Sequence, residues 1–242
     1  MPFISIVIPT YNESARIIQT LEKIFNYMEK GKNRFEVIVS DDGSRDNTTG
    51  VIEQKFSGKS NLRILRRPVN KGKGLTVKEG VVNSKGDVVL FSDADLSTPI
   101  EEIDKLLKFI EQGFDVVIGS RNLKDPDVEV QKTAHRFVMG RIFSVLIGLF
   151  VFWGTKDTQC GFKMFTRKAA DEVFKRQKLE GFSFDVELIY LAKKLGFKVK
   201  EVPVNWHESE GTRVKLFRDS AKMTKDILKI KSMHRNTNWN IK

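Results

Sequence analysis

Two aspartates separated by one residue, Asp93 and Asp95, directly follow an apolar stretch at residues 87–92. In a loop, carboxylates at this spacing can turn toward one cation. Hard oxygen ligands suit Mg²⁺ or Mn²⁺, which take their remaining ligands from waters and substrate phosphates. Such a metal would neutralise a departing diphosphate. The pair therefore predicts a divalent metal site, against the simpler interpretation of a solvated loop or a helix cap.

A second acidic segment begins at Asp41 and Asp42, after another apolar stretch. One interpretation is structural: Asp46 or Thr48 caps the next helix, and Gly43 permits a tight turn. The other gives one of the two aspartates to a ribose hydroxyl or a base N–H, as an acidic residue beyond a strand does in dinucleotide-binding folds. The spacing alone favours neither.

The segment Asn70-Lys71-Gly72-Lys73-Gly74 combines two glycines with two lysines. The glycines predict a close approach of the backbone to a ligand, and Lys73 is expected to meet a phosphate near a helix start. The spacing does not match the P-loop pattern, so the segment is a weak indicator when taken alone.

The elements that must position these residues follow from the hydrophobic pattern. Apolar runs predict strands at 3–8, 35–40, 62–65, 87–92, 115–119 and 198–202, and helical spacing predicts helices at 17–28, 48–56, 70–83, 101–110, 184–195 and 216–233. The alternation predicts an α/β fold with a single mostly parallel sheet flanked by helices. Because ligands bind beyond the carboxyl ends of such strands, we expect segments 9–13, 41–44 and 93–95 to meet at one edge.

The composition limits the class of protein. The 242 residues carry a net charge of +11, are 40% hydrophobic and contain one cysteine, Cys160. The charge favours an anionic partner, either nucleic acid, anionic lipid or a phosphorylated ligand, although a generic basic surface would also account for it. We find no nucleic-acid-binding motif and expect no nucleic acid partner. The three histidines are too scattered for a zinc signature.

Residues 142–153 form the longest apolar stretch, which is shorter than the 20 or so residues that a spanning helix needs. We expect an interfacial helix at 137–153 instead. The start of the sequence lacks the pattern of a signal peptide. The predicted organisation is a catalytic domain at 1–215 followed by a basic amphipathic helix and tail at 216–242.

In combination these motifs resemble the family-2 inverting glycosyltransferases of the GT-A fold, and within them the polyprenyl-phosphate (dolichyl-phosphate) hexose synthases. The matching motifs, in family order, are Pro9-Thr10-Tyr11-Asn12-Glu13, Asp41-Asp42-Gly43-Ser44, Asn70-Lys71-Gly72-Lys73-Gly74, Asp93-Ala94-Asp95-Leu96, Gly119-Ser120-Arg121 and Asp157-Thr158-Gln159-Cys160-Gly161-Phe162. Segments 93–99 and 157–163 look most like the dolichyl-phosphate glucosyltransferase branch. Ser97 stands where the mannosyl enzymes tend to carry a glutamine that assists the metal.

The resemblance implies a role for each matching position. A nucleotide-sugar donor would be bound by Pro9, Tyr11, Glu13, Val39, Asp41 or Asp42, Lys73, Asp93, Ala94, Asp95, Arg121, His207 and Arg213, with Mg²⁺ or Mn²⁺ on Asp93 and Asp95. His207 occupies a position where an arginine is commoner in the family. A neutral imidazole cannot replace a permanent guanidinium charge, so pH dependence is expected there.

Inversion requires in-line attack on the anomeric carbon, with positioning and charge stabilisation supplying most of the barrier reduction. Asp157 is the first candidate for a carboxylate beside the acceptor, and Asp185 is the second. Each can equally be an ordinary cap or ion-pair partner. Arg136, which borders the interfacial stretch, is expected to bind the acceptor phosphate together with Arg121.

The expected reaction is transfer of glucose from UDP-glucose to dolichyl or polyprenyl phosphate. We expect it at the cytoplasmic face of the cell membrane or an equivalent of the endoplasmic reticulum, with the protein peripherally bound. Eukaryotic glucosyl enzymes carry an N-terminal membrane anchor, and we expect this protein to be held at the membrane without one. Mannosyl transfer from GDP-mannose and transfer to a polysaccharide hydroxyl remain alternatives. The sequence does not predict an oligomeric state.

Overall fold

The computed structural model describes residues 1–131, 144–145, 147–208 and 216–241. Arg136, Arg213 and much of the predicted interfacial helix at 137–153 lie outside these residues, so their predicted roles stay predictions.

One seven-stranded sheet organises the described chain. Its strands are β1 (Ile4–Thr10), β2 (Phe35–Asp41), β3 (Leu62–Arg66), β4 (Val88–Ser92), β5 (Val116–Ser120), β6 (Phe162–Thr166) and β7 (Val199–Pro203). They are arranged in the order β3-β2-β1-β4-β6-β5-β7. Strand β6 is antiparallel to both of its neighbours, β4 and β5, and the other pairs are parallel.

Helices cover both faces of the sheet. They are α1 (Ile17–Met28), α2 (Thr48–Phe56), α3 (Lys73–Val82), α4 (Ile103–Glu111), α5 (Arg167–Arg176), α6 (Phe184–Lys194) and α7 (Leu216–Met233). Consecutive strand residues point to opposite faces. Accordingly Ile6 and Ile8 pack in one hydrophobic cluster with α1 and α4, whereas Val7 packs in a second cluster with α3, α5 and α6.

The predicted strands and helices are confirmed, with ends that differ by no more than three residues, and so is the mostly parallel sheet. Strand β6 and helix α5 were not predicted. Their sequence signal is weak because Lys163, the second residue of β6, is fully buried and interrupts the apolar run. A charged residue at a core position gives neither the alternating nor the continuous pattern of a strand.

The C-terminal segment packs on the protein's own core. Ile227 and Ile230 of α7 are buried in the same cluster as α5 and α6. After the helix, Trp239 packs edge-on against Tyr190 of α6, and Arg176 donates hydrogen bonds to the backbone oxygens of residues 238 and 240. The basic tail thus covers α5 and α6. Among the described residues, no helix is long and apolar enough to cross a membrane.

Glu36 forms a buried polar network at the amino end of the parallel strands. Its Oε1 accepts hydrogen bonds from the Ser5 hydroxyl and the Lys85 N–H, each at 2.6 Å, and its Oε2 lies 2.9 Å from Arg63. Burial raises the pKa of Glu36, but these hydrogen bonds and the arginine charge outweigh it and leave the pKa below its ordinary value. The network lies at the edge opposite the predicted site.

Candidate active site

The carboxyl ends of β1 and β2 meet as predicted. The Asn12 side chain accepts hydrogen bonds from the N–H groups of Arg45 and Asp46, at 2.6 and 3.3 Å. Its own N–H donates to the Ser44 hydroxyl at 2.8 Å, and the N–H of Glu13 donates to Thr48 at 2.8 Å. Asn12 adopts a left-handed conformation with φ 51°, in which its side chain can reach the neighbouring turn. The two segments therefore form one continuous surface.

Asp41 and Asp42 both make hydrogen bonds within the protein. Asp41 accepts from the Thr10 hydroxyl at 3.0 Å and from the Ser44 N–H at 2.9 Å. Asp42 accepts from the N–H groups of residues 71 and 72, at 2.9 and 2.8 Å, and pairs with Arg67 at 2.6 Å. Gly43 has φ 72°, as the predicted tight turn requires. The prediction that Asp46 or Thr48 caps the next helix is wrong, because Asn47 is the N-cap of α2 and its side chain makes no cap hydrogen bond. A contact of Asp41 or Asp42 with a nucleoside stays a prediction.

The glycines of the 70–74 segment serve a different purpose from the one predicted. A Cβ on Gly72 would lie 2.6 Å from the Glu180 oxygen, and one on Gly74 would lie 2.6 Å from the Leu179 oxygen. The N–H of Gly74 also donates to Glu180 O at 2.7 Å. These glycines allow the backbone to pack closely on residues 179–181, and their approach to a ligand stays a prediction.

Lys73, the first residue of α3, points toward the predicted metal loop. Its Nζ lies 2.5 Å from Oδ1 of Asp93. Burial lowers the pKa of Lys73, but the charges of Asp93, Asp185 and Asp95 outweigh it and raise the pKa above its ordinary value. The ammonium group is therefore charged at neutral pH and shows that a cation is favourable at this edge.

Asp93 and Asp95 have the chemistry that a divalent metal needs. The Asp93 side chain is 35% exposed, and Asp95 lies in a turn in which its Oδ1 accepts the Ser97 N–H at 2.9 Å. Among the described residues, no group of three or more histidines, cysteines or carboxylates could hold a metal. Two carboxylates therefore fit Mg²⁺ or Mn²⁺ only if waters and a substrate diphosphate complete the coordination, which is usual for such sites.

Gly161 fixes the place of the Asp93 carboxylate. A Cβ on Gly161 would lie 2.0 Å from Oδ2 and 2.4 Å from Cγ of Asp93. The backbones are joined as well, since the Asp93 N–H donates to Gly161 O at 3.2 Å. Only glycine leaves room for the carboxylate here.

A buried ion pair lies beneath this loop. The Lys163 ammonium pairs with Asp185 of α6, donates to the Cys160 oxygen at 2.6 Å and lies 5.2 Å from the centroid of the Phe91 ring. Burial raises the pKa of Asp185, and the charges of Lys163 and Lys73 counteract part of that rise. Asp185 is therefore close to the predicted metal loop, but its carboxylate is already bound to a lysine.

Arg121 and Asp157 form a second ion pair at the end of β5. Arg121 donates from Nε and Nη2 to the two oxygens of Asp157, at 2.7 and 2.8 Å, and its backbone N–H donates at 2.9 Å. Burial lowers the pKa of Arg121, but Asp157 outweighs it and raises the pKa further above its already high value. The arrangement fixes the guanidinium, which also lies 5.5 Å from the centroid of the Trp206 ring.

The remaining predicted positions lie around this edge. His207 is exposed, and its N–H donates to the Ser97 oxygen at 2.8 Å, which places it beside the Asp95 turn. Glu13 pairs with Arg16 at 2.8 Å. The side chain of Val39 is fully buried in the hydrophobic core, and that of Ala94 is also buried. Pro9 is the next-to-last residue of β1, and Tyr11 is the first residue after that strand.

Sequence reasoning missed two contributors to the site. Lys163 and Gly161 were quoted only as parts of a motif, and their contacts with Asp185 and Asp93 join segments more than 20 residues apart. Cys160 is not a further contributor, since burial raises the pKa of its thiol to about 11 and keeps it protonated near neutral pH.

Comparison with known proteins gives a consistent result. Residues 5–174 match Glycosyl transferase family 2. A dolichyl-phosphate beta-glucosyltransferase of Dictyostelium discoideum is 36% identical, over 99% of this chain and 77% of its own. The enzyme of that name from Mus musculus is 35% identical, over 99% of this chain and 78% of its own.

Solved structures support the fold. Mannosyl-3-phosphoglycerate synthase from Rubrobacter xylanophilus has a TM-score of 0.71 at 17% identity, over 97% of this chain and 74% of its own. Glucosyl-3-phosphoglycerate synthase from Mycobacterium tuberculosis, in complex with Mn²⁺, UDP and phosphoglyceric acid, has a TM-score of 0.69 at 19% identity, over 96% of this chain and 78% of its own. The predicted GT-A architecture is confirmed.

Proposed function

Because this chain belongs to Glycosyl transferase family 2, we propose that it transfers glucose from UDP-glucose to dolichyl or polyprenyl phosphate, with inversion at the anomeric carbon. Relatives of about 35% identity that bear the name dolichyl-phosphate beta-glucosyltransferase span nearly the whole chain. A structural neighbour that binds UDP and Mn²⁺ supports the choice of donor and metal.

The observation that carries the proposal is the cluster of charges at the carboxyl edge of the sheet. Asp93 and Asp95 provide carboxylates for a divalent metal, and Lys73 adds a cation at the same place. A bound Mg²⁺ or Mn²⁺ would supply Lewis-acid stabilisation of the departing diphosphate. Lys73 would share in neutralising that charge, and Arg121, held in place by Asp157, would bind phosphate oxygens.

Asp157 and Asp185 are the two carboxylates considered for proton abstraction. Because both are held in ion pairs, the site favours an acceptor that is already anionic. Asp157 is bound by Arg121 through two hydrogen bonds, and Asp185 is bound by the buried Lys163. Protonation of Asp157 would break its pair with Arg121, which makes Asp157 a weak base. Burial raises the pKa of Asp185, but its carboxylate is occupied by the Lys163 ammonium and is not free to approach an acceptor proton. A phosphate acceptor does not need such a base, since it is already ionised near neutral pH. A hydroxyl acceptor would need one.

In the proposed reaction an oxygen of the lipid phosphate attacks the anomeric carbon of glucose. The bond from that carbon to the diphosphate oxygen breaks on the opposite face, and UDP leaves with the bonding electrons. No proton is transferred in this step. The contribution of the protein is then the alignment of donor and acceptor and the stabilisation of the leaving diphosphate.

We also propose that the protein binds peripherally to the cytoplasmic leaflet through residues 144–153. Leu149 is 61% exposed and Trp153 is 69% exposed, and Val145 and Phe150 are exposed as well. Apolar side chains grouped in this way, on a protein of net charge +11, suit an anionic membrane surface. Docking there would bring the site to a lipid-borne phosphate.

The test is a donor screen with purified protein, Mn²⁺ and polyprenyl phosphate, in which UDP-glucose is compared with GDP-mannose and the lipid-linked sugar is measured. Transfer from UDP-glucose that is lost with EDTA and in Asp95→Ala supports the proposal. Transfer from GDP-mannose alone would overturn the choice of donor. If UDP-glucose binds but no lipid-linked sugar forms, the proposed acceptor is wrong.

A further inference from the structure

We propose that Glu187 is a positioning residue for donor binding, which acts through residues 177–181 on Lys73 and is itself held by His234 of the C-terminal segment. Residues 177–181 are called the strap below. The inference rests on the proposed function only for the identity of the ligand, a uridine diphosphate. The contacts that carry it are independent of that identity.

Glu187 lies in the first turns of α6 and is completely buried. Its Oε1 accepts the N–H of Lys178 and its Oε2 the N–H of Leu179, both at 2.8 Å. The Nε2 of His234 lies 2.6 Å from Oε1, while the Nδ1 of the same ring lies 3.0 Å from the Thr237 hydroxyl. One carboxylate thus joins the C-terminal segment to the strap.

The strap in turn holds the start of α3. The N–H groups of Gly74 and Leu75 donate to Glu180 O, at 2.7 and 3.2 Å. From the strap, the Gln177 side chain donates to the Gly74 oxygen at 2.9 Å, and the Lys78 ammonium donates to the Gln177 oxygen at 2.8 Å. The first turn of α3 is therefore hydrogen-bonded to the strap through two backbone N–H groups and through the Gly74 carbonyl oxygen.

The fit between the strap and α3 leaves little room for adjustment. At both Gly72 and Gly74 an added Cβ would lie 2.6 Å from a strap oxygen, so the backbones are in close contact. Lys73 lies between these two glycines and reaches Asp93. A displacement of the strap therefore shifts the backbone on both sides of Lys73, from which the side chain reaches Asp93.

A carboxylate at this position can accept both strap N–H groups and the His234 ring at once, which a neutral side chain of similar shape cannot do. Burying a charge is costly, and replacing a buried polar pair by apolar residues is often neutral or stabilising. Asp185, two residues earlier on the same helix, points to Lys163 and the metal loop. Asp185 thus holds the predicted metal loop in place through Lys163. Glu187 holds the start of α3 in place through the strap.

The test compares Glu187→Gln with Glu36→Gln. Both residues are buried glutamates that accept backbone N–H groups and pair with a basic side chain, but Glu36 lies at the opposite edge of the sheet. For each variant, calorimetry measures the Kd for UDP in the presence of Mn²⁺, hydrogen exchange measures the amides of Gly74 and Leu75, and thermal unfolding measures Tm. Glutamine keeps the shape of the side chain but offers only one acceptor oxygen.

We expect both variants to lower Tm. Only Glu187→Gln should raise the Kd for UDP, by about tenfold, as the loss of one charge-assisted hydrogen bond would. The same variant alone should speed exchange at Gly74 and Leu75 by about tenfold. If Glu187→Gln does not fold, His234→Ala, which keeps both bonds from Glu187 to the strap, should show the same two effects at smaller size.

Equal Kd and exchange values in Glu187→Gln and Glu36→Gln would overturn the inference, since stability alone would then explain both. If the wild-type protein does not bind UDP, the proposed function fails. In that case the exchange rates at Gly74 and Leu75 decide whether Glu187 positions the start of α3, because that measurement needs no ligand.

Discussion

Replacing Gly161 by alanine should inactivate the protein without unfolding it. The added Cβ would lie 2.0 Å from Oδ2 of Asp93, far inside the 3.4 Å at which ordinary van der Waals contact begins. The backbones of the two residues are hydrogen-bonded, so the strand cannot easily move away. The carboxylate, which is 35% exposed, can swing outward instead.

The size of the effect follows from this displacement. To reach ordinary contact, the Asp93 oxygen must move by about 1.4 Å, the difference between 2.0 Å and 3.4 Å. A misplacement of about 1 Å in a catalytic constellation can cost about 100-fold in rate, which corresponds to roughly 2.7 kcal/mol of transition-state stabilisation. The rotation also separates Asp93 from Lys73. We therefore expect kcat to fall by about 100-fold or more, with a higher requirement for Mn²⁺.

Initial rates of glucose transfer from UDP-glucose to polyprenyl phosphate, measured over a series of Mn²⁺ concentrations, give both quantities. Gly58→Ala is the matched control, because a Cβ at that position meets no atom within 4 Å. Circular dichroism and Tm establish that each variant is folded. Should folded Gly161→Ala retain kcat to within about threefold of wild type, the Asp93 carboxylate is not required where the structure places it.

Four further substitutions test other parts of the structure. Arg121→Lys keeps the charge but loses the two-pronged bond to Asp157, so kcat should fall by about tenfold, and a double-mutant cycle with Asp157→Asn should show less than additive losses. Asp95→Asn should raise the Mn²⁺ concentration for half-maximal activity by about tenfold, and EDTA should abolish transfer by wild type; an unchanged metal requirement would contradict the assignment. Glu36→Gln should lose about 1 kcal/mol of unfolding free energy near neutral pH. Because the folded-state pKa of Glu36 lies below its unfolded value, the wild-type advantage is present above pH 4.5 and disappears as the pH falls through the folded pKa, which urea titrations across that range would show. Trp153→Ser should reduce sedimentation with anionic liposomes at low salt, since about 2 kcal/mol of apolar burial is lost, while UDP binding stays unchanged.

The sequence predicts the regular part of the fold well, because β1, β4 and β5 are largely apolar and most strands are followed by a helix. It also predicts which segments meet, because carboxyl ends of parallel strands share one edge. Strand β6 was missed for a physical reason. The charge of Lys163, its second residue, is neutralised by Asp185 from a distant helix, and a local pattern cannot show a partner that is supplied by tertiary structure.

The sequence predicted that the candidate residues lie close together, but not the contacts that they make. Asp93, Asp95 and Lys73 were chosen from local spacing, and they do lie together. The contacts of the glycines in the 70–74 segment could not be foreseen, because they depend on residues 179–181, more than 100 positions later. Glycine indicates a close approach but does not indicate what approaches.

The reversed direction of β6 has a consequence for how such a chain can diversify. The stretch 121–161 leaves the sheet at the end of β5 and returns in the adjacent strand, so its two ends are anchored about one strand spacing apart. The entropy of closing a loop grows only with the logarithm of its length, at about 0.6 kcal/mol per doubling. Insertions in this stretch between Arg121 and Asp157 therefore leave the register of β1, β2 and β4 untouched. During evolution the sequence of this stretch can therefore change, while the strands that lead to the predicted nucleotide site stay under a separate constraint.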